Sequence, residues 1–452
     1  MRVGLYLQDK TVAEKSVEKQ FWEMIKQVRN SRIDLLVFPE TAYAPFENQV
    51  WNLNLFEYPN EESQAEAIIE LVDDLARKVG CAVVYSGIDR DDVIFSCFVN
   101  PFAKKGETEV KLYYKHVATN YSAFDLADYD DIIDELFEPI LLNGFKIGLL
   151  ICYDSNFPLF ARSYGKNGID VLINSTGGHV DYKKWSYYQK ARAIENRATL
   201  LCTMSYYTAD AKNNSYIFAY DKYGKTLPYK MLWHQSTNPN PLPCGVYEVE
   251  ILNNIAYTPL LHGGFMHGEI DPYFGQARTL NKHTHFFLNS TDLDSLISHS
   301  SKLSDNLYIK EVDDVNLVVV VLEEEDVLFA EKVASLFYDD VLSAYPEKRY
   351  LLINRWKTFD LAYYQNVLST ILKVRSAENF CAVAIFSNRF AECFQVGNNK
   401  NIQIIECQGG KFGLDFNRMT GPEAIWQNKS TSVSMRRSWR NGYKNLIKRV
   451  CD

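Results

Sequence analysis

Lys146-Ile147-Gly148-Leu149-Leu150-Ile151-Cys152-Tyr153-Asp154 is an apolar run that ends on a cysteine and then turns polar. A short aliphatic run bounded by turn formers reads as a buried strand. A strand that delivers a thiol to its carboxyl end, ahead of a loop and a helix, is how an open α/β sheet presents a nucleophile. One strand-end cysteine is more often a packing residue. Two other strand ends make this one informative. Ile33-Asp34-Leu35-Leu36-Val37-Phe38-Pro39-Glu40 closes on a carboxylate, and Val110-Lys111-Leu112-Tyr113-Tyr114-Lys115 closes on an amine. A base, a cation and a thiol, each ending its own apolar strand, are the groups that covalent acyl chemistry needs.

Outward from these strands, the first ~250 residues alternate strand and helix in the manner of an α/β domain. Met1 to Leu7 reads as a first strand, and Val17, Phe21, Met24, Ile25 and Val28 fall on one helical face. Ala65, Ile68, Ile69, Val72, Leu75, Ala76 and Val79 mark a second amphipathic helix. Cys81–Ile88 and Val93–Asn100 read as paired strands, Asp170–Asn174 and Thr199–Ser205 as buried strands, and Trp185–Ala198 as a helix. Ser215–Tyr220 and Gly245–Ile251 complete this domain.

Beyond residue 253 the pattern changes. A connecting segment over 253–289 is rich in Gly and His, and a second α/β domain of unassigned role follows over 290–452. Its expected elements are strands Leu317–Leu322, Tyr350–Ile353, Cys381–Phe386 and Ile402–Cys407, with helices Val327–Tyr345 and Leu361–Val374. A basic helix is expected over 435–449. No internal repeat is visible.

At 452 residues the chain exceeds one ordinary core, which gives two domains. A net charge of -9 argues against a broad nucleic-acid footprint. No apolar stretch is long enough to span a bilayer, and the first residues read as a strand rather than a leader. Nine cysteines, odd in number and without metal-type spacing, suit a reducing, cytoplasmic compartment. Cys244, Cys393 and Cys451 are expected to be the more exposed thiols. His262, His267, Glu269, Asp271, His283 and His285 crowd one stretch but match no zinc spacing, so no metal is expected. Gly409-Gly410-Lys411-Phe412-Gly413 lacks the close of a phosphate loop, and no cofactor is expected.

The three strand ends and their flanks resemble the nitrilase superfamily of carbon–nitrogen hydrolases. The matching text is Phe38-Pro39-Glu40, Tyr113-Tyr114-Lys115-His116, Gly148 to Pro158, Ala191-Arg192-Ala193-Ile194-Glu195-Asn196-Arg197-Ala198 and Ser215 to Gly224, covering roughly residues 1 to 252. The resemblance implies a four-layer α-β-β-α sandwich, a Glu40-Lys115-Cys152 triad, and a homo-oligomer built from a dimer across the helical faces. It also implies a small-molecule substrate, a linear amide being favoured over a nitrile. Glu40 is then the general base, Cys152 the nucleophile, and Lys115 and the Tyr153 amide the donors for the oxyanion. Tyr43 and Thr176 are candidate substrate-binding residues; Tyr43 heads an aromatic loop with Phe46, Trp51 and Phe56. An acyltransferase, or a regulatory protein that senses a ligand without turnover, are the competing readings.

Two departures stand out. The family's second glutamate, in the loop after the lysine strand, has no counterpart before Glu135; Asp125 is the first candidate to replace it and Asp128 the second. The family's histidine usually lies two residues after the lysine, whereas His116 is adjacent to Lys115.

Overall fold

The computed structural model describes residues 1–11, 14–43, 61–88, 94–116, 137–178, 180, 182–206, 215–235, 242–252, 285–289, 292–312, 314–357, 360–387, 390–396, 402–405, 407–408, 411–416, 419, 421, 446–447 and 450–451. The chain divides into two compact units, Met1–Asn253 and Asn254–Asp452.

The first unit contains strands β1 (Arg2–Asp9), β2 (Leu35–Val37), β3 (Ala82–Ile88), β4 (Ile94–Val99), β5 (Val110–Tyr114), β6 (Ile140–Leu142), β7 (Phe145–Ile151), β8 (Val171–Thr176), β9 (Thr199–Tyr206), β10 (Phe218–Tyr220), β11 (Tyr229–His234) and β12 (Gly245–Glu250). Its helices are α1 (Glu14–Ser31), α2 (Glu61–Val79), α3 (Pro158–Lys166) and α4 (Tyr182–Asn196). Hydrogen bonding runs β5-β4-β3-β2-β1 on one side and β9-β8-β7-β6 on the other. Among the described residues, the two halves are joined where the end of β1 meets the end of β9, at Gln8↔Ser205 and Asp9↔Tyr206. Strands β4 and β5 nevertheless lie against β7, although they stand far from it in the ladder. The sheet is therefore folded over on itself, face to face.

Amphipathic helices close the outer faces. Phe21, Met24, Ile25 and Val28 of α1, with Ile68, Val72, Leu75, Ala76 and Val79 of α2, pack on Leu36, Val83, Tyr85, Phe95 and Cys97. Spacing of three and four residues puts each set on one stripe. Helices α3 and α4 cover the β7–β9 half. The result is the expected helix, sheet, sheet, helix order. Between the sheets, polar side chains reach across: Ser175 Oγ donates to Phe38 O at 2.9 Å, and Tyr113 OH to Asp154 Oδ2 at 3.0 Å.

The second unit holds β13 (His285–Asn289), β14 (Ser301–Ser304), β15 (Leu307–Val312), β16 (Val315–Glu323), β17 (Lys348–Arg355), β18 (Ala382–Ser387), β19 (Phe390–Val396), β20 (Ile402–Ile405), β21 (Cys407–Gln408) and β22 (Lys411–Asp415). Strands β14 to β20 form a seven-stranded sheet in chain order, with β16, β17 and β18 parallel. Strands β13, β22 and β21 form a small second sheet. Lys411 to Gly413 thus lie in a strand, not a phosphate loop. Because β13 pairs with β22, the last residues of the expected 253–289 connection belong to this unit.

Several expectations need correction. The helix expected over Val327–Tyr345 is broken into Ala330–Phe337 between two 3-10 turns, because Asp339 accepts from Val341 N and starts a new turn. The strand expected over Ser215–Tyr220 shortens to Phe218–Tyr220. Cys244 and Cys393 are fully buried, and only Cys451 is exposed among the eight described cysteines, all of them free thiols. Strand β11 was not anticipated; its exposed face carries no apolar alternation to read. Most of the histidine cluster and of the basic tail lies outside the described residues. No helix among the described residues is long and apolar enough to cross a membrane, and no described cluster of His, Cys, Asp or Glu is arranged to hold a metal.

The thiols give a direct check. Burial raises the pKa of Cys244 and Cys393, and a thiol reacts as thiolate. Iodoacetamide at neutral pH should therefore modify Cys451 before Cys244 and Cys393. Peptide mapping should find Cys244 and Cys393 unmodified until the protein is unfolded.

Candidate active site

Glu40 follows β2, Lys115 follows β5 and Cys152 follows β7, so two half-sheets deliver their carboxyl ends to one point. Lys115 Nζ donates to Glu40 Oε1 at 2.6 Å. All three residues are buried, at 5% (Glu40), 2% (Lys115) and 6% (Cys152) exposure. Burial by itself lowers the Lys115 pKa, but the Glu40 carboxylate and then Cys152 more than offset it, and the ammonium is held above its usual range. For Cys152, burial and the Glu40 charge raise the pKa well above normal, against the opposing effects of Lys115 and the Gly177 amide. The sulfur lies in hydrogen-bonding reach of both the Glu40 side chain and the Gly177 N–H. At neutral pH the resting group is a thiol beside a carboxylate.

Cys152 has φ +45°, in the left-handed region, and opens the 3-10 turn Cys152–Asn156. Such a backbone costs on the order of 1–3 kcal/mol and persists only where its surroundings impose it. The surroundings here are specific. Ser155 Oγ donates to Cys152 O at 2.9 Å, Gln189 Nε2 to Ser155 Oγ at 3.0 Å, and Asn174 Nδ2 to Gln189 Oε1 at 3.1 Å. Arg192 on α4, fully buried and paired with Glu195, donates from Nε to Ser155 O at 2.7 Å. Asp154 accepts from Ile151 N, His116 N and Tyr113 OH, which ties the elbow to the lysine strand across the sandwich.

Gly177, after β8, stands so close to Glu40 that a Cβ there would lie 2.6 Å from Oε2. On the other side, Lys10 at the end of β1 donates from Nζ to Thr41 O at 2.7 Å, Thr41 Oγ1 at 2.8 Å and Glu40 O at 3.3 Å. Its pKa is pushed down to about 7 by burial, against the raising effect of Glu40. Thr41 has φ +51°, so the lysine clasps a left-handed turn directly after Glu40. Lys10 and Gly177 were missed in the sequence. Lys10 follows the apolar part of β1 only after Gln8 and Asp9, so the first polar residue of that strand did not point to it.

Among the remaining expected residues, Tyr43 borders this turn: its ring lies 4.8 Å from Lys10 Nζ and its backbone is bracketed by Gln8. Tyr153 packs edge-on to Phe157, with its amide in the first turn after the nucleophile. Thr176 is not brought to the Glu40–Lys115 pair; its hydroxyl faces Cys202 Sγ at 3.4 Å, on the side of β8 that carries Asn174 toward α4. Asp125, Asp128, Phe46, Trp51 and Phe56 lie outside the described residues. His116 is a core residue, its ring bonded to Tyr113 OH at 2.9 Å and packed on Phe137 and Phe160.

Residues 12–221 match the family model described as carbon–nitrogen hydrolase. A "Probable nitrilase" of Schizosaccharomyces pombe is 42% identical over 60 residues, 13% of this chain and 22% of that protein. An apolipoprotein N-acyltransferase of Borreliella burgdorferi is 25% identical over 150 residues, 32% of this chain and 26% of that protein. The chain thus spans about a quarter of each of these curated relatives. Among solved structures, an amidase from Nesterenkonia sp. AN1 is 16% identical with a TM-score of 0.40, over 56% of this chain and 93% of that one. A carbon–nitrogen hydrolase from Helicobacter pylori is 17% identical with a TM-score of 0.40, over 55% and 88%. Residues 12–221 are a carbon–nitrogen hydrolase domain of the nitrilase superfamily.

His116 gives this site a pH signature. Burial lowers its pKa to about 3, whereas an unfolded histidine titrates near 6.5. Between these values the unfolded chain binds the extra proton, so stability is full above pH ~6.5 and falls as pH drops toward 3. The loss is on the order of 4 kcal/mol. Urea unfolding at pH 7 and pH 4.5 should show the decline, and His116→Gln should flatten its slope by about one proton.

Proposed function

We propose that the first unit is a thiol hydrolase of a small linear amide, acting through a covalent thioester on Cys152. The observation that carries this reading is the buried Lys115–Glu40 pair at 2.6 Å with the Cys152 thiol against the same carboxylate. As the sulfur attacks the carbonyl carbon, its proton passes to Glu40, and the C=O π pair moves to oxygen. That oxyanion takes its donors from the Lys115 ammonium and the Tyr153 amide; the first amides of a helical turn have no partner within it. Protonated Glu40 gives its proton to the departing amine as the C–N bond breaks. Water, deprotonated by the same carboxylate, then cleaves the thioester and releases the acid.

A nitrile also accepts a thiol. An amide is the reading we adopt because its leaving amine needs the proton that Glu40 is placed to return. A second reading, acyl transfer to an amine in place of water, takes support from the match to a relative named N-acyltransferase. We extend the proposal to a homo-oligomer and a reducing compartment. The eight described cysteines, all free, suit the latter.

Exposing the full chain to a series of linear amides and nitriles, followed by intact-mass and peptide mapping, tests the mechanism. An acyl group on Cys152 is expected, absent from Cys152→Ala and formed far more slowly in Glu40→Gln, which lacks the base that takes the thiol proton; turnover that survives Cys152→Ala would sink the proposal. Product analysis with and without an added amine separates hydrolysis from transfer.

Substitutions at Lys115 and Lys10 sort the neighbouring cations. Lys115→Met removes one partner of a buried pair and should destabilise by about 3–5 kcal/mol as well as stop turnover. Glu40→Gln added to it should recover much of the stability and none of the activity. Lys10→Met, which frees the turn behind Glu40, should lower kcat about ten-fold with KM little changed, since a misplaced base costs rate rather than binding. Lys10→Arg should restore part of the loss.

A further inference from the structure

The second unit contains a second version of the Cys152 elbow. Strand β7 is followed by Cys152, φ +45°, which opens a five-residue 3-10 turn; strand β16 is followed by Glu324, φ +45°, which opens another. In both turns the third residue is an aspartate whose carbonyl accepts from the amide of a sixth-residue phenylalanine. The distances are 3.0 Å for Phe157 N to Asp154 O and 3.2 Å for Phe329 N to Asp326 O. An α-helix follows each, Pro158–Lys166 and Ala330–Phe337.

The bracing is the same as well. Arg192 Nε donates to the carbonyl of the fourth turn residue, Ser155, at 2.7 Å; Arg375 Nε donates to the fourth turn residue of the other, Val327, at 3.1 Å. Each arginine is fully buried and ion-paired three residues on, to Glu195 and Glu378. Asn196 and Asn379 each donate back to the arginine's own carbonyl, at 2.8 Å and 2.9 Å. Arg197 and Phe380 then both take a left-handed φ before the next strand. The shared text is Arg-x-x-Glu-Asn, at 192–196 and at 375–379.

Pairing and register agree. Strands β6 to β10 alternate antiparallel, parallel, parallel, antiparallel, and so do β15 to β19. Across the parallel strands, Leu150, Asn174 and Cys202 are in register; in the second unit the same positions are Leu322, Asn354 and Ile385. An asparagine occupies the middle place in both.

We infer that Leu307–Val396 is a second copy of the nucleophile-bearing half of the hydrolase fold, with Glu324 in the place of Cys152, and that this copy is catalytically silent. The first unit draws its base and its cation from the other half-sheet, after β2 and β5. Among the described residues the second unit has no counterpart of that half-sheet. Among those residues nothing takes the places of the nucleophile, base and cation together, while the brace that holds the elbow is kept.

Amide hydrogen exchange on the full chain tests the copy. Arg375→Met should speed exchange at 324–329 at least ten-fold, as Arg192→Met should at 152–157. If Arg375→Met does not fold, Glu324→Gly and Glu324→Val serve instead. A left-handed position accepts glycine and resists a β-branched residue, so the glycine variant should exchange like the wild type and the valine variant should exchange faster and melt lower. Unchanged protection at 324–329 in Arg375→Met, or indistinguishable glycine and valine variants, would overturn the elbow. Silence is tested on Cys152→Ala with p-nitrophenyl acetate, an activated acyl donor. No stoichiometric hydroxylamine-labile acyl group is expected within 301–396, and finding one there overturns it.

Discussion

The first unit is organised around a buried ion pair. Lys115 and Glu40 meet at 2.6 Å in a place nearly closed to water. Burying either charge alone would be costly, and together they are tolerable only because contact is close and the remaining polar atoms are satisfied. That requirement fixes the carboxyl ends of β2 and β5 relative to each other. It also fixes what surrounds them: Gly177 has no Cβ because Glu40 Oε2 occupies that space, and Lys10 clasps the turn behind the carboxylate. The pair then sets the resting state of Cys152, whose thiol stays protonated beside a carboxylate able to take its proton.

The thiol itself depends on a different device. A left-handed cysteine at a strand end stores strain, and a fully buried arginine on α4, the second helix after it, holds the turn that contains it. This is a costly arrangement, with a guanidinium taken out of water and compensated by a buried glutamate and the carbonyl of the turn. Its recurrence around Glu324 and Arg375 indicates that the brace belongs to the half-fold and not to the reaction, since it persists where a glutamate opens the turn in place of the cysteine.

Much of this was legible in the chain. Apolar runs ending on Cys152, Glu40 and Lys115 placed three strand ends, because a buried strand in a two-layered sheet must be apolar and its first polar residue marks where it emerges. Helical stripes placed α1 and α2 for the same reason, since one face of each must leave water. Weakly patterned elements were hidden: β11 has an exposed face, and the helix expected over 327–345 breaks where Asp339 caps a new turn. The repeated half-fold escaped notice because its two copies share a few buried polar residues and little else, and spacing between those residues differs between the copies.

The sequence by itself determined which groups are present and that each ends a strand: periodicity and composition are local properties, carried along one segment. Only the tertiary structure decided which of those ends meet. The folding of β4 and β5 over β7 brings Glu40 and Lys115 to Cys152, turns Thr176 away to Cys202, and draws in Lys10 and Gly177 from strand ends that no motif singled out. Such encounters join residues far apart in the chain. They follow from how two half-sheets pack and which buried charges must be satisfied, and no window of sequence contains both partners.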